Sequence, residues 1–215
     1  MTIKLINKSD NKLSFKTDMN LSLANAIRRS INYIPLLAVD SLEISKNDSA
    51  LYDEMIAHRV GLVPLKNDKL RLSKECGCEK EEGCTKCATK FKLSVTGPCT
   101  VYSTDLSPKT EVIYKMPITI LDKDQELEFV ATAKMGLGVD HAKFSPGLIF
   151  YRYSEDLEKE DDESFKKILE SSKKDTGKEL MVFVESWGQM GPKEMVIESM
   201  EALNAEIKDL VKKVK

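Results

Sequence analysis

Four of the five cysteines lie within 12 residues and have the spacing of metal ligands. The stretch CGCEKEEGCTKC places Cys76, Cys78, Cys84 and Cys87 in a C-x-C-x5-C-x2-C pattern. Four thiolates on one short loop can close a tetrahedral zinc site, which then has no open position for water or substrate. We therefore predict one structural zinc ion. The alternatives are an iron–sulfur cluster and cysteines that bind no metal.

A second polar segment, ATAKMGLGVDHAKFSP at residues 131–146, combines glycines, a histidine and lysines. Gly136 and Gly138 form a Gly-x-Gly pair, but no long helix follows and Pro146 interrupts the segment, so a dinucleotide-binding loop is not formed. His141 has no nucleophile beside it, and the chain contains no Gly-x-Ser-x-Gly motif. We therefore predict no catalysis here, and either an irregular loop or a surface that contacts another protein.

Apolar periodicity and turn residues predict the elements that position these segments. Alternating residues at the start predict a β-hairpin, and NLSLANAIRRSINYIP predicts a helix over residues 21–34 that Pro35 ends. LLAVDSLEIS predicts a strand, and ALYDEMIAHRVG predicts a short helix ended by Gly61, in which His58 is expected to be structural. The following strand patterns are KFKLSVTG, TVYSTDL, EVIYKMPITIL, QELEFVATA, LIFYRYS and ELMVFVESWG.

The end of the chain predicts a long helix that begins at Pro192. Its apolar residues are spaced four and three apart, which is typical of a heptad stripe. Such a helix gains little stability alone, so the stripe must pack against the helix at 21–34, against a second chain, or against both. The stripe consists of Val196, Met200, Leu203, Ile207, Leu210 and Val214, and the first helix offers Leu23, Ile27 and Ile31.

Composition restricts the class of protein. The chain has 215 residues, of which 41% are hydrophobic and 32% charged, as in globular proteins. No apolar run approaches the roughly 20 residues that span a bilayer, and the N-terminus lacks the apolar core of a secretory signal, so we expect a cytoplasmic protein. The net charge of −2 gives no overall attraction to nucleic acid. The acid-rich cysteine segment would repel phosphates, which disfavours the alternative of a free-standing zinc-containing nucleic-acid-binding regulator.

Four longer stretches resemble, in the same order, the D subunits of archaeal DNA-directed RNA polymerases. This family is related to the third-largest subunit of eukaryotic nuclear polymerases and to the bacterial alpha amino-terminal domain. The stretches are NAIRRSINYIPLLAVDSLEI, LYDEMIAHRVGLVPL, ATAKMGLGVDHAKFSPG and VFVESWGQMGPKEMVIESMEAL. The resemblance implies an α+β fold. Residues 1–40 and 178–215 would form a dimerisation domain, and residues 41–177 an inserted β-rich domain with the cysteine loop 76–87.

The resemblance also implies a scaffold function. Members of the family pair with a small alpha-like protein, the L subunit of archaea, and the pair is the platform for the large catalytic subunits and other small subunits. The polymerising aspartates belong to the largest subunit, so the chain is expected to be a non-catalytic part of a nucleotidyltransferase complex that reaches DNA only indirectly. The heptad stripe and the first helix would contact the L subunit. The expected contacts with a large subunit are Arg28, Arg29, Gly136, Gly138, His141 and Lys143.

The four-cysteine segment is similar to a zinc loop of the eukaryotic relatives, although its x5 spacing is longer. Some archaeal members carry an added ferredoxin-like domain with iron–sulfur clusters before the last strand. In this chain the corresponding region, residues 151–179, is acidic and has no cysteine. We therefore expect no iron–sulfur cluster in that region.

Overall fold

The computed structural model describes residues 2–66, 84, 87–107, 112–154 and 179–214. Its strands are β1 (Ile3–Lys8), β2 (Lys12–Thr17), β3 (Leu36–Asn47), β4 (Ala88–Thr96), β5 (Cys99–Tyr102), β6 (Pro117–Leu121), β7 (Glu126–Gly136), β8 (Gly147–Tyr153) and β9 (Leu180–Ser186). Its helices are α1 (Leu21–Ser30), α2 (Asp53–Gly61) and α3 (Pro192–Val214). Short 3-10 turns occupy Ile31–Tyr33, Ser103–Asp105 and Ala142–Phe144.

The chain divides into two compact units, of which the first is discontinuous. Unit 1 consists of Met1–Ile34 and Ser145–Lys215, and unit 2 is Pro35–Phe144. These boundaries differ from the predicted ones at residues 40 and 178. Strand β8 belongs to unit 1 because it pairs with β9 along its whole length, and β3 begins at Leu36 within unit 2.

Unit 1 is an antiparallel sheet in the order β1-β2-β9-β8 with α1 and α3 against it. The predicted hairpin is confirmed as β1 and β2. Helix α1 begins after Asn20, whose side chain accepts a hydrogen bond from the Ser22 N–H at 2.8 Å, as expected of an N-cap residue. The core under the helices contains Leu13, Phe15, Ile31, Ile34, Ile149, Val182, Val184 and Met195.

Unit 2 contains a three-stranded antiparallel sheet in the order β3-β7-β4 and a two-stranded sheet of β5 and β6. Helix α2 buries Ile56 and Val60 and leaves its other face exposed. Strand β6 begins only at Pro117, so the predicted strand EVIYKMPITIL is wrong for residues 112–116. The core of unit 2 includes Leu37, Val39, Phe91, Leu93, Ile118, Leu121, Leu127 and Phe129.

A buried hydroxyl joins α1 to α3 in unit 1. The Ser30 Oγ donates a hydrogen bond to the Ser199 carbonyl oxygen at 2.7 Å, and both residues are buried. Replacement of Ser30 by alanine removes this buried hydrogen bond to the Ser199 carbonyl oxygen. It should lower the free energy of unfolding by about 1–2 kcal/mol. Urea denaturation measures this change. The exposed Ser22 on the same helix is the matched control, and an equal effect of Ser22→Ala would contradict this role of Ser30.

Candidate functional site

The heptad stripe of α3 divides into a packed half and an exposed half. Val196 packs against the core under the helices, while Met200 and Leu203 pack against a neighbouring cluster of unit 1. Beyond Leu203 the stripe leaves this core. Ile207 is 50%, Leu210 61% and Val214 80% exposed.

The exposed half forms a continuous apolar surface on the last two turns of α3. Val211 is also about half exposed. With Ile207, Leu210 and Val214 it has the i, i+3, i+4, i+7 spacing of one helix face. The heptad pattern omitted Val211, although this spacing includes it. We call these four residues the terminal stripe.

A charged pair lies on the same two turns. Asp209 and Lys213 form an i, i+4 ion pair at 2.6 Å. The hydrogen bond from Lys213 to this carboxylate, together with its negative charge, raises the pKa of the Lys213 ammonium group. Both side chains are largely exposed, so the pair contributes little to stability. The terminal stripe therefore lies on a helix end whose other side chains are charged and favour contact with solvent.

The first helix contributes less to an accessible surface than predicted. Ile27 and Ile31 are buried in the core of unit 1. They therefore contact the chain itself and are not available to a partner. Leu23 remains exposed, as does its neighbour Leu21. The sequence pattern could not separate these cases because all of these residues are apolar.

The two arginines of α1 differ in their surroundings. The Nε and Nη2 groups of Arg28 donate to the Asn25 Oδ1 at 3.1 and 2.9 Å, so this guanidinium is partly occupied within its own helix. Arg29 is exposed to solvent. Of the two, Arg29 is more accessible for contact with another protein.

The segment after β7 is held by ring packing and an ion pair. A Cβ atom placed at Gly136 would lie 2.5–2.7 Å from the Phe144 ring, so glycine is required there for packing. Gly138 is partly buried. The Lys143 Nζ lies 3.3 Å from a carboxylate oxygen of Asp40, and it also lies over the Phe144 ring at 5.0 Å from its centroid. Gly136 therefore has a structural role, while Lys143 is partly committed to Asp40.

Both histidines of the chain line one cavity of unit 2. The cavity has a volume of about 140 Å³ between β3, the end of α2 and the segment that carries His141. The Lys143 backbone N–H donates to the His141 Nδ1 at 3.1 Å. A neutral His141 therefore carries its proton on Nε2, which can donate to an outside acceptor. The sequence pattern predicts a structural role for His58, but its side chain is exposed at this cavity.

Cys84 and Cys87, the second half of the cysteine motif, lie close together just before β4. The backbone N–H groups of Cys87 and Ala88 both donate to the Cys84 carbonyl oxygen at 2.9 Å. The Cys84 N–H donates to the Cys87 Sγ at 3.2 Å, and the two sulfur atoms are 3.8 Å apart. Cys76 and Cys78 lie outside the described residues.

The described ranges lack two features that would point to other functions. No cluster of three or more His, Cys, Asp or Glu side chains within them has the arrangement of a metal site. No helix in the described part of the chain combines the length and apolar character needed to cross a bilayer.

Comparison with known proteins finds RNA polymerase subunits as relatives of this chain. Residues 29–149, more than half of the chain, match the profile of the RNA polymerase Rpb3/RpoA insert domain. The chain is 38% identical over 152 residues to DNA-directed RNA polymerase subunit Rpo3 of Archaeoglobus fulgidus, which covers 67% of this chain and 57% of that protein. It is 34% identical over 192 residues to the Rpo3 of Methanocaldococcus jannaschii, which covers 88% and 83%.

A eukaryotic protein is also similar. DNA-directed RNA polymerase II subunit rpb3 of Dictyostelium discoideum is 32% identical over 163 residues, covering 66% of this chain and 53% of that protein. The chain thus spans between half and two thirds of the length of the Archaeoglobus and Dictyostelium relatives. The chain belongs to the Rpo3/Rpb3 family of DNA-directed RNA polymerase subunits.

Proposed function

We propose that the chain is a non-catalytic assembly subunit of a DNA-dependent RNA polymerase. It pairs with a small alpha-like subunit, the L subunit of archaea, and the pair forms the platform for the large catalytic subunits. The observation that carries this proposal is the terminal stripe, Ile207, Leu210, Val211 and Val214. Four neighbouring apolar side chains on one helix face favour burial, at about 1.5–3 kcal/mol for each large apolar side chain.

The partner surface extends from the terminal stripe to exposed residues of α1. Leu21 and Leu23 lie on the first turn of α1, and α1 packs against α3 within unit 1. A small partner with an apolar helix face would cover these residues without moving the core residues Ile27 and Ile31. The charged Asp209 and Lys213 would remain at the edge of the contact, where exposed pairs contribute little to affinity.

A second surface, in unit 2, is proposed to contact a large subunit. It consists of the exposed His141, the partly buried Lys143 and the cavity beside them. The His141 Nε2–H offers a donor, and Asp40 offers an acceptor, so a partner could supply complementary polar groups. Gly136 supports this surface by admitting the Phe144 ring, and Arg29 is a further candidate contact in unit 1.

Affinity purification from the native cells tests this function. The tagged chain should bring down the two large polymerase subunits and one small alpha-like subunit in near-equal amounts, as measured by mass spectrometry. The purified chain alone should incorporate no nucleotide. Recovery of the chain as a lone species, or nucleotide incorporation by the isolated chain, would exclude an assembly role.

We also propose that Cys76, Cys78, Cys84 and Cys87 hold one structural zinc ion. Two sulfur ligands at about 2.3 Å from a tetrahedral zinc are about 3.8 Å apart, which is the separation of the Cys84 and Cys87 sulfurs. The Cys84 N–H also donates a hydrogen bond to the Cys87 sulfur, which holds this sulfur close to Cys84. These features support the fit of half of the ligand set.

Elemental analysis should find about one zinc per chain in protein purified without chelator. Replacement of Cys84 by serine should reduce zinc to near zero, because three remaining thiolates no longer close the site. Cys99→Ser is the matched control, since the Cys99 thiol donates to the Thr96 carbonyl oxygen at 3.7 Å and belongs to another strand. Iron with visible absorption, or no metal in the unaltered chain, would overturn the zinc assignment.

A further inference from the structure

The outer face of the sheet in unit 1 has a row of side chains that crosses all of its strands. Asn7 pairs with Ser14, Ser14 with Phe183, and Phe183 with Phe150. Residues directly opposite each other in antiparallel strands lie on the same face. Leu13, the neighbour of Ser14, contributes to the core under the helices, so this row faces away from that core.

Ser14 carries a buried hydroxyl without a partner. The residue is 5% exposed, and among the described residues no group forms a hydrogen bond with its Oγ. A buried polar group without a partner is unfavourable, and most such groups in proteins are satisfied. The Ser14 hydroxyl therefore lacks a partner in a place where a ligand could supply one.

Ser14 lines an apolar cavity of about 160 Å³ together with the two phenylalanines of the row. The Phe150 and Phe183 rings are stacked, with centroids 4.9 Å apart and planes inclined by 14°. At the rim, the Lys12 ammonium and the Glu185 carboxylate form an ion pair at 2.8 Å. The cavity therefore combines aromatic walls, one unpartnered hydroxyl and a rim whose opposite charges neutralise each other.

We propose that this cavity binds a small uncharged aromatic molecule that carries one hydroxyl group, of the size and class of phenol. A cavity of about 150 Å³ lined by apolar side chains accepts a benzene ring. The aromatic walls match a ring of that size, since aromatic pairs gain energy beyond simple burial. The ligand hydroxyl forms the missing hydrogen bond when the Ser14 hydroxyl, which is buried as it stands, rotates about its Cα–Cβ bond toward the cavity. An ionised ligand is disfavoured because the rim offers no net charge. This inference is independent of the polymerase role.

Fluorine NMR of the full-length chain with 4-fluorophenol and fluorobenzene tests the proposal. Saturable binding of 4-fluorophenol is expected, about fivefold tighter than that of fluorobenzene because of one additional hydrogen bond. In the Ser14→Ala variant the two probes should bind with equal affinity. Ser14→Ala should fold normally, because it removes a buried group that has no partner. Phe150→Ala should abolish binding of both probes, and phenol should compete with 4-fluorophenol in the unaltered chain.

Three results would overturn the proposal. The first is absence of saturable 4-fluorophenol binding, as expected if only water reaches Ser14. The second is an unchanged preference for 4-fluorophenol in Ser14→Ala. The third is equal binding by the unaltered chain and a folded Phe150→Ala variant, which would place the probe elsewhere. Exposed Ser45 in unit 2 provides the matched control, and Ser45→Ala should change neither affinity.

Discussion

Replacement of both Ile207 and Leu210 by aspartate is expected to abolish pairing with the small alpha-like subunit that we propose as the partner. Both side chains are at least half exposed in the isolated chain, so each replacement should change the free energy of unfolding by less than about 0.5 kcal/mol, and the pair by less than about 1 kcal/mol. In the complex, each unpaired carboxylate would be buried at a cost of several kcal/mol. Because about 1.4 kcal/mol corresponds to tenfold in affinity, pairing should weaken by at least about 100-fold.

Co-expression followed by size-exclusion chromatography and mass spectrometry measures this loss. Ala205→Asp is the control, because it adds the same charge to an exposed position roughly 160° around the helix from Ile207. This control should pair normally. If the double aspartate variant still forms the complex while the control behaves identically, the partner binds another surface and the terminal stripe has been misassigned.

Leu203, the centre of the predicted heptad stripe, is not an equivalent test position. Its side chain packs on the cluster of Met19, Ala24, Ile27 and Leu180. Leu203→Asp would therefore destabilise unit 1 itself, and loss of pairing would not identify an interface. The choice of Ile207 and Leu210 separates the effect on folding from the effect on pairing.

The sequence predicts that α3 is amphipathic, but it cannot predict which half of the stripe is covered. Helix α1 has 10 residues and α3 has 23, so at about 1.5 Å per residue their lengths are roughly 15 and 35 Å. The first helix therefore cannot cover the whole of α3. Apolar periodicity does not reveal this difference in length, because it contains no information on which helix packs against α3.

The end of α1 shows how local chemistry sets a boundary that periodicity overestimates. The predicted helix extends to residue 34, whereas α1 ends at Ser30 and a 3-10 turn follows. Ile34 has φ −73° and ψ 121°, because the following Pro35 disfavours helical backbone at the preceding residue. Pro35 correctly predicts that the helix ends before it. The 3-10 turn at Ile31–Tyr33 is not predictable from the proline, because Ile31 and Ile34 pack into the core of unit 1.

The candidate site was predictable only in its separate parts. The C-x-C-x5-C-x2-C spacing marks the cysteines, but the close approach of the Cys84 and Cys87 sulfurs depends on the hydrogen bonds that the Cys84 carbonyl oxygen accepts just before β4. Similarly, His58 and His141 are more than 80 residues apart in sequence, and no local pattern predicts that they line one cavity. Such contacts depend on strand pairing over long separations, which single-sequence patterns do not encode.

Gly147→Ala is expected to destabilise unit 1 strongly. Gly147 begins β8 and pairs with Ser186 of β9. A Cβ atom at this position would collide with the Glu185 backbone carbonyl oxygen, and it would lie 3.0 Å from the Met195 Sδ. The methionine side chain can move, but the carbonyl belongs to a paired central strand. The added methyl group therefore forces β8 to shift away from β9 and weakens the hydrogen bonds between the two strands.

The expected cost is at the upper end of the about 1–3 kcal/mol typical of overpacking, because the obstacle is backbone. For a protein of this size each kcal/mol lowers the Tm by about 2–4 °C, so a fall of about 6–12 °C is expected in a thermal melt. Gly191→Ala provides the control, since a Cβ atom there meets nothing within 4 Å, and its Tm should stay within about 2 °C of the unaltered chain. Equal melting of the two variants would mean that β8 can shift away from β9 at no cost, and the close packing of Gly147 against β9 would then not limit stability.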